Sequence, residues 1–300
     1  MSALAASASG WAVDPTDPDV QLWWERFGAS GESLLLINGL GSPSVAFELG
    51  FVEKLVDRGC SVVRFDNRDA GRSSRCDGAT GSDSPYAVTD MAADAVAVLD
   101  AAGWESAHVL GQSMGGMIAQ QLVLDHPTRA RSLISFMSAT GNPAFGRPST
   151  EALEALLTVQ PSDRDGWLAH RVETERIWAS PLEWDPAWVR AKGGLMYDCG
   201  VDPEGTTRQF RAVTAGGDRD QALARLSLPT LVLHGTADTL ITPGGGEHTA
   251  EVIPGAAYVA IEGLGHDLPP SRWAEVAGLI ADFCVGQELS GERQSDARVR

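Results

Sequence analysis

Ala107-His108-Val109-Leu110-Gly111-Gln112-Ser113-Met114-Gly115-Gly116 is the stretch that decides how this chain reads. The apolar run Ala107–Leu110 leads in, and a helix-competent segment from Gly116 to Leu124 follows. This is G-x-S-x-G set between a strand and a helix, the context in which the pattern carries chemistry. The reason is steric. A serine pushed out at the top of a tight strand-to-helix turn sits in a strained backbone conformation. Small residues two before and two after it let strand and helix approach closely. The same turn puts the Met114 amide at a helix N-terminus, where free N–H groups and the helix dipole favour an anion. The bland alternative is a glycine-rich structural turn, and the flanking strand and helix weigh against it.

Outward from this turn, strand-like runs alternate with helical ones. Val20–Phe27 reads as an early strand with two tryptophans, and Ser33–Ile37 as a short apolar strand ending at Asn38-Gly39-Leu40-Gly41. Phe47–Asp57 has helical spacing and stops at Gly59. Ser61–Phe65 is the next strand, and Thr89–Ala102 the next helix, with Thr89 or Asp90 as its cap. After the Ser113 helix, Ser132–Phe136 is a strand again. Continuous apolar strands between helices predict an α/β fold with a mostly parallel sheet covered on both faces.

The rhythm breaks after about Ala139. Residues 149–225 show helical segments and no clear strand, and Trp167, Trp178, Trp184 and Trp188 fall there. The β/α pattern returns with Pro229–His234 and Ala257–Ile261. The expected organisation is a core of residues 1–140 and 226–286, a helical lid over 141–225 and a disordered polar tail over 287–300. The four tryptophans either line a substrate pocket beneath the lid or glue lid to core.

A serine hydroxyl is a weak nucleophile and needs a base, and the base needs a third group to hold its tautomer. His234-Gly235-Thr236-Ala237-Asp238 follows one late strand and Gly263-Leu264-Gly265-His266 the last one. Both loops fall at C-terminal strand ends, where an open α/β sheet keeps its ligand crevice. Ser113, Asp238 and His266 are therefore the expected catalytic triad. Asp218 and Asp220 are rival acids, but they follow no strand. Of the six histidines, His266 alone sits in a glycine-flanked loop after the final strand. His234 is expected to support the loop bearing Asp238. The loop after Ile37 is expected to supply a second oxyanion donor, the Leu40 amide, beside that of Met114.

With these residues in view, the chain resembles an α/β-hydrolase-fold serine hydrolase along nearly its whole length. Gly111–Gly116 resembles the nucleophile elbow of that superfamily, and Arg64–Ser73 its FD-x-R-x-x-G-R-S loop. His234–Asp238 and Gly265-His266 complete the set. The R-x-D-x-G-R-S variant, with helix Asp94–Asp100, is most similar to small bacterial carboxylesterases of the aclacinomycin-methylesterase type. Asn38-Gly39 stands where many members carry His-Gly, a histidine that is usually structural. Asp66, Arg68, Asp69 and Arg72 are expected to form an ion-pair network that braces their loop.

Composition bounds the partners. A formal net charge of −17 repels phosphates, so nucleic acid and anionic membranes are excluded as expected partners. Four cysteines without a C-x-x-C pair, no basic leader and no long apolar run predict free thiols in a soluble cytoplasmic protein. The overall expectation is a hydrolase of small to medium carboxylic esters, acting through an acyl-enzyme with no cofactor and no metal. The alternatives are a cofactor-free haloperoxidase or perhydrolase, a proline iminopeptidase-like amidase and a non-catalytic ligand receptor. Glu173, Glu175 and Glu183 in the lid keep the iminopeptidase in view. Oligomeric state is not fixed by the sequence.

Overall fold

The apolar runs fold as strands and the longer periodic segments as helices. The computed structural model describes residues 4–14, 17–77 and 84–286. The polar stretch from Gln287 onward lies outside them. In chain order the strands are β1 Ala8–Val13, β2 Gln21–Phe27, β3 Glu32–Ile37, β4 Cys60–Phe65, β5 Ala107–Gln112, β6 Ala130–Phe136, β7 Thr230–Gly235 and β8 Ala257–Ile261. The helices are α1 Leu49–Val56, α2 Val88–Ala101, α3 Met114–Asp125, α4 Thr150–Leu156, α5 Arg164–Trp178, α6 Pro186–Gly200, α7 Pro203–Ala215, α8 Asp220–Leu223, α9 Gly244–Val252 and α10 Trp273–Cys284.

One sheet holds the strands in the order β1-β2-β4-β3-β5-β6-β7-β8. From β4 to β8 every neighbouring pair is parallel. The two strands at the β1 end join antiparallel. Within each central strand the side chains alternate between two cores, as the period of two requires. Leu35, Ile37, Val63 and Val109 pack with α2 and α3 on one face. Leu34, Leu36, Val62 and Leu110 pack with α1 and α10 on the other. Burial on both faces explains why these strands read as unbroken apolar runs.

β1 was not expected. Ala8-Ser9-Gly10-Trp11-Ala12-Val13 is mostly exposed at the sheet edge, so its sequence carries little apolar signal. The cap of α2 also differs. Ala87 is the capping residue, and Asp90 reaches back to accept the Ala87 N–H at 2.7 Å.

Between β6 and β7 the chain forms α4 to α8 and no strand. These helices announce themselves by their caps. Ser149, Asp163, Asp185 and Asp202 each accept an N–H from the first turn of α4, α5, α6 and α7. Each such cap contributes about 1 kcal/mol to a helix with few core contacts of its own.

Candidate active site

Ser113 sits between β5 and α3 with φ 57° and ψ −123°, a conformation that a residue with a side chain rarely adopts. Two neighbouring glycines permit it. A Cβ on Gly111 would fall on the Gly115 carbonyl, and one on Gly115 would fall on the carbonyl of Ile37 in β3. The Ser113 carbonyl is held by the Ser138 hydroxyl at 2.7 Å and the Gly116 N–H at 2.9 Å. Ser138 follows β6, so two adjacent strands clamp the turn from both sides.

His266 and Asp238 lie past the ends of β8 and β7, and the structure brings them to Ser113. His266 Nε2 is 3.0 Å from Ser113 Oγ, and His266 Nδ1 is 2.6 Å from Asp238 Oδ2. The other Asp238 oxygen accepts the N–H groups of Leu240 and Ile241, each at 2.9 Å. Its carboxylate is thus oriented by backbone before it meets the imidazole. Burial alone would raise the Asp238 carboxyl. The charge of His266 and the hydrogen bonds from His234 and His266 outweigh burial and hold it down at about 2. His234 is fully buried, with Nε2 2.8 Å from the Ile241 carbonyl and 3.5 Å from Asp238. It supports the loop that carries Asp238. The rival Asp220 is engaged elsewhere, 2.7 Å from His248 and 2.6 Å from Asn142.

The His266 loop has a second anchor. The His266 N–H donates to the Trp178 carbonyl at 2.6 Å, at the end of α5. Ser180 supplies its hydroxyl to Asp267 and accepts the Gly265 N–H at 2.9 Å. Ser138, Ser180 and Asp267 gave no sequence signal, because each acts through a backbone position that only the folded chain defines.

The backbone N–H groups of Leu40 and Met114 find no acceptor among the described residues. A cavity of about 170 Å³ opens beside Ser113 and His266, with Asn38, Gly39 and Leu40 in its wall. Trp167 and Trp178 line it. Trp184 and Trp188 are not among its lining residues, so of the two expected roles only Trp167 and Trp178 take the pocket one. Trp188 is turned to the Glu48 carboxylate at 3.0 Å and under the Lys192 ammonium at 5.0 Å. Trp184 lies half-buried in the link between α5 and α6.

The Asp66–Arg72 loop is braced mostly by partners outside itself. Arg68 reaches Asp14 at 2.9 Å and Asp94 at 2.6 Å. Asp69 holds Arg208 of α7 at 2.7 Å and the Tyr86 hydroxyl at 2.7 Å. Asp66 accepts the N–H groups of Ser44 and Arg72, and burial raises its carboxyl against those bonds. The Arg72 guanidinium lies 4.9 Å over the Trp23 ring. The loop is braced by ion pairs as expected, but they run from Arg68 and Asp69 to Asp14 just past β1, to α2 and to α7 rather than between the loop's own charged side chains.

Residues 32–270 match the family described as alpha/beta hydrolase fold. The chain belongs to the α/β-hydrolase-fold family. It is a hydrolase of that family, with the mostly parallel sheet and flanking helices expected of it. Rhodomycin D methylesterase DnrP of Streptomyces peucetius is 33% identical over 294 residues, covering 88% of this chain and 95% of that protein. A putative carbamate hydrolase, RutD of Variovorax paradoxus, is 31% identical, covering 71% of this chain and 76% of its own length. Among solved structures, a hydrolase from Pseudomonas aeruginosa superposes with a TM-score of 0.72 at 26% identity, covering 93% of this chain and 99% of that one. The methylesterase-like resemblance agrees with the first of these α/β-hydrolase relatives. Among the described residues, no helix is long and apolar enough to cross a membrane.

Proposed function

We propose that the protein is a carboxylic ester hydrolase in which Ser113, His266 and Asp238 form an acyl-transfer triad. The observation that carries this reading is the hydrogen-bonded line from Ser113 Oγ through His266 to Asp238, at 3.0 and 2.6 Å. His266 Nε2 takes the Ser113 proton as Oγ attacks the ester carbonyl. Asp238 keeps Nδ1 protonated and stabilises the imidazolium that forms. The Leu40 and Met114 amides receive the tetrahedral oxyanion, a contribution of about 3–4 kcal/mol per donor in comparable sites. The intermediate collapses, and the alcohol leaves with the proton from His266. Water then gives its proton to His266, attacks the acyl carbonyl and releases the acid, restoring Ser113.

In this reading residues 141–225 form the lid over a core of residues 1–140 and 226–286, and Trp167 and Trp178 shape the acyl or alcohol pocket. The carboxylates that would suit an aminopeptidase are occupied or remote. Glu175 pairs with Arg171, Glu183 pairs with Arg272 at 2.7 Å, and Glu173 is exposed. That favours esters over substrates with a free amine. The methylesterase relatives suggest methyl esters as the first substrates to try. Four free thiols suit a reducing, cytoplasmic setting.

The test is hydrolysis of short p-nitrophenyl and methyl esters together with labelling by a sulfonyl fluoride. Turnover that is lost on labelling, with the label mapped to Ser113 alone, supports the proposal. Label on another serine, or turnover that survives full labelling, overturns it.

A further inference from the structure

The cavity beside Ser113 is also lined by four charged side chains: Arg171, Glu175, Asp267 and Lys192. Three of them have partners. Arg171 pairs with Glu175 one turn along α5 and lies 5.3 Å over the Trp167 ring. Asp267 takes both the N–H and the hydroxyl of Ser180. The nearby Glu48 carboxylate already accepts from Trp188.

Lys192, on α6, is different. Its ammonium rests over the Trp188 ring and forms no hydrogen bond or ion pair with the described residues. The ring contact holds the side chain but uses none of its three N–H donors. Burial pulls the Lys192 ammonium below the usual lysine range, although Glu175 and Glu48 pull it back up. A half-buried ammonium whose donors are unused by the protein gains from an acceptor that reaches it inside the cavity.

We propose that Lys192 forms a carboxylate subsite in the Ser113 cavity, so that the preferred substrates are esters bearing a second, free carboxylate. This rests on the acyl-transfer reading of Ser113. A monoanion fits better than a phosphate dianion. One positive charge with unused N–H donors is on offer, and Glu175, Asp267 and Glu48 already act on it, which leaves no room for a second negative charge. The protein's net charge of −17 repels anions at long range, so the selection arises inside the cavity.

Monomethyl esters of succinic, glutaric and adipic acids, set against their dimethyl esters, test this directly. In the wild type at least one half-ester is expected to exceed its diester in kcat/KM by tenfold or more. Lys192→Met is expected to reduce that ratio at least tenfold, and Lys192→Arg to keep part of it. A wild type that prefers diesters throughout, or a Lys192→Met variant that slows both series equally, overturns the inference. Should Lys192→Met fold poorly, the free dicarboxylates serve with the wild type. They are expected to inhibit competitively where the neutral diamides of the same length do not, and equal inhibition by both overturns the subsite. Turnover of p-nitrophenyl esters without turnover of either series overturns this inference alone, and absence of turnover with all three overturns the acyl-transfer reading and this inference with it.

Discussion

The Ser180 hydroxyl lies 2.5 Å from Asp267 Oδ1, joining the end of α5 to the residue next to His266. With the Gly265 N–H on the same hydroxyl, Ser180 fixes the backbone on both sides of the imidazole. Ser180→Ala leaves a buried carboxylate and a backbone amide each short of a partner. We expect a stability loss of about 2 kcal/mol. We also expect kcat to fall more than KM rises, since the histidine is displaced while the cavity wall is not. Urea denaturation and steady-state kinetics check the two parts, and unchanged kcat would show that His266 holds its place without this clamp.

Ser113 stores strain in its backbone. Ser113→Ala is expected to reduce ester hydrolysis by at least about 10⁴-fold without unfolding the protein. Ser113→Gly should be as inactive but more stable than Ser113→Ala by roughly 1–2 kcal/mol, because glycine adopts that conformation freely. Denaturation midpoints of the two variants decide it.

Asp238 links the site to acid stability. Its carboxyl is held at about 2 in the folded protein, against about 3.9 in an unfolded chain. The resulting stabilisation, roughly 2–3 kcal/mol, is complete above about pH 4 and is lost as pH falls toward 2. Asp238→Asn should flatten that part of the stability curve and lower kcat by about 10⁴-fold. Urea titrations between pH 2 and 5 would reveal a curve of unaltered slope if the linkage were absent.

Arg68 bridges Asp14 and Asp94, all three nearly buried. Arg68→Met removes the guanidinium but leaves the carboxylates in place. The expected cost is about 3–5 kcal/mol. Arg72, stacked on Trp23 at the surface of the same loop, should cost under about 1 kcal/mol when changed to Met. Similar losses for both variants would contradict the bridge.

The parts of the fold that were legible in sequence are those that one local pattern determines. The doubly buried strands around β5 read as apolar runs, and Ser113 could be recognised because its turn demands glycines at fixed offsets. Asp238 and His266 were legible because strand ends are. β1 was not, since an edge strand with one face in water has no apolar run to offer. Nor were Ser180 and Asp267, which meet across 87 residues of sequence. The choice between the two roles of the tryptophans was not legible for a related reason. Helical spacing marks a residue as part of a helix, but which of Trp167, Trp178, Trp184 and Trp188 faces the cavity depends on how α5 and α6 lie against the core.

Gln209 shows what that packing implies for access. Fully buried on α7, it accepts the Gly41 N–H at 2.7 Å and donates to the Arg68 carbonyl at 2.7 Å. Gly41 follows Leu40, and Arg208 next door is pinned to Asp69. α7 cannot swing outward without dragging the Leu40 amide away from Ser113. The end of α5 is tied to His266 in the same way, so α5 and α7 both belong to the fixed frame of the site, and a bulky acyl group must fit the room that frame leaves.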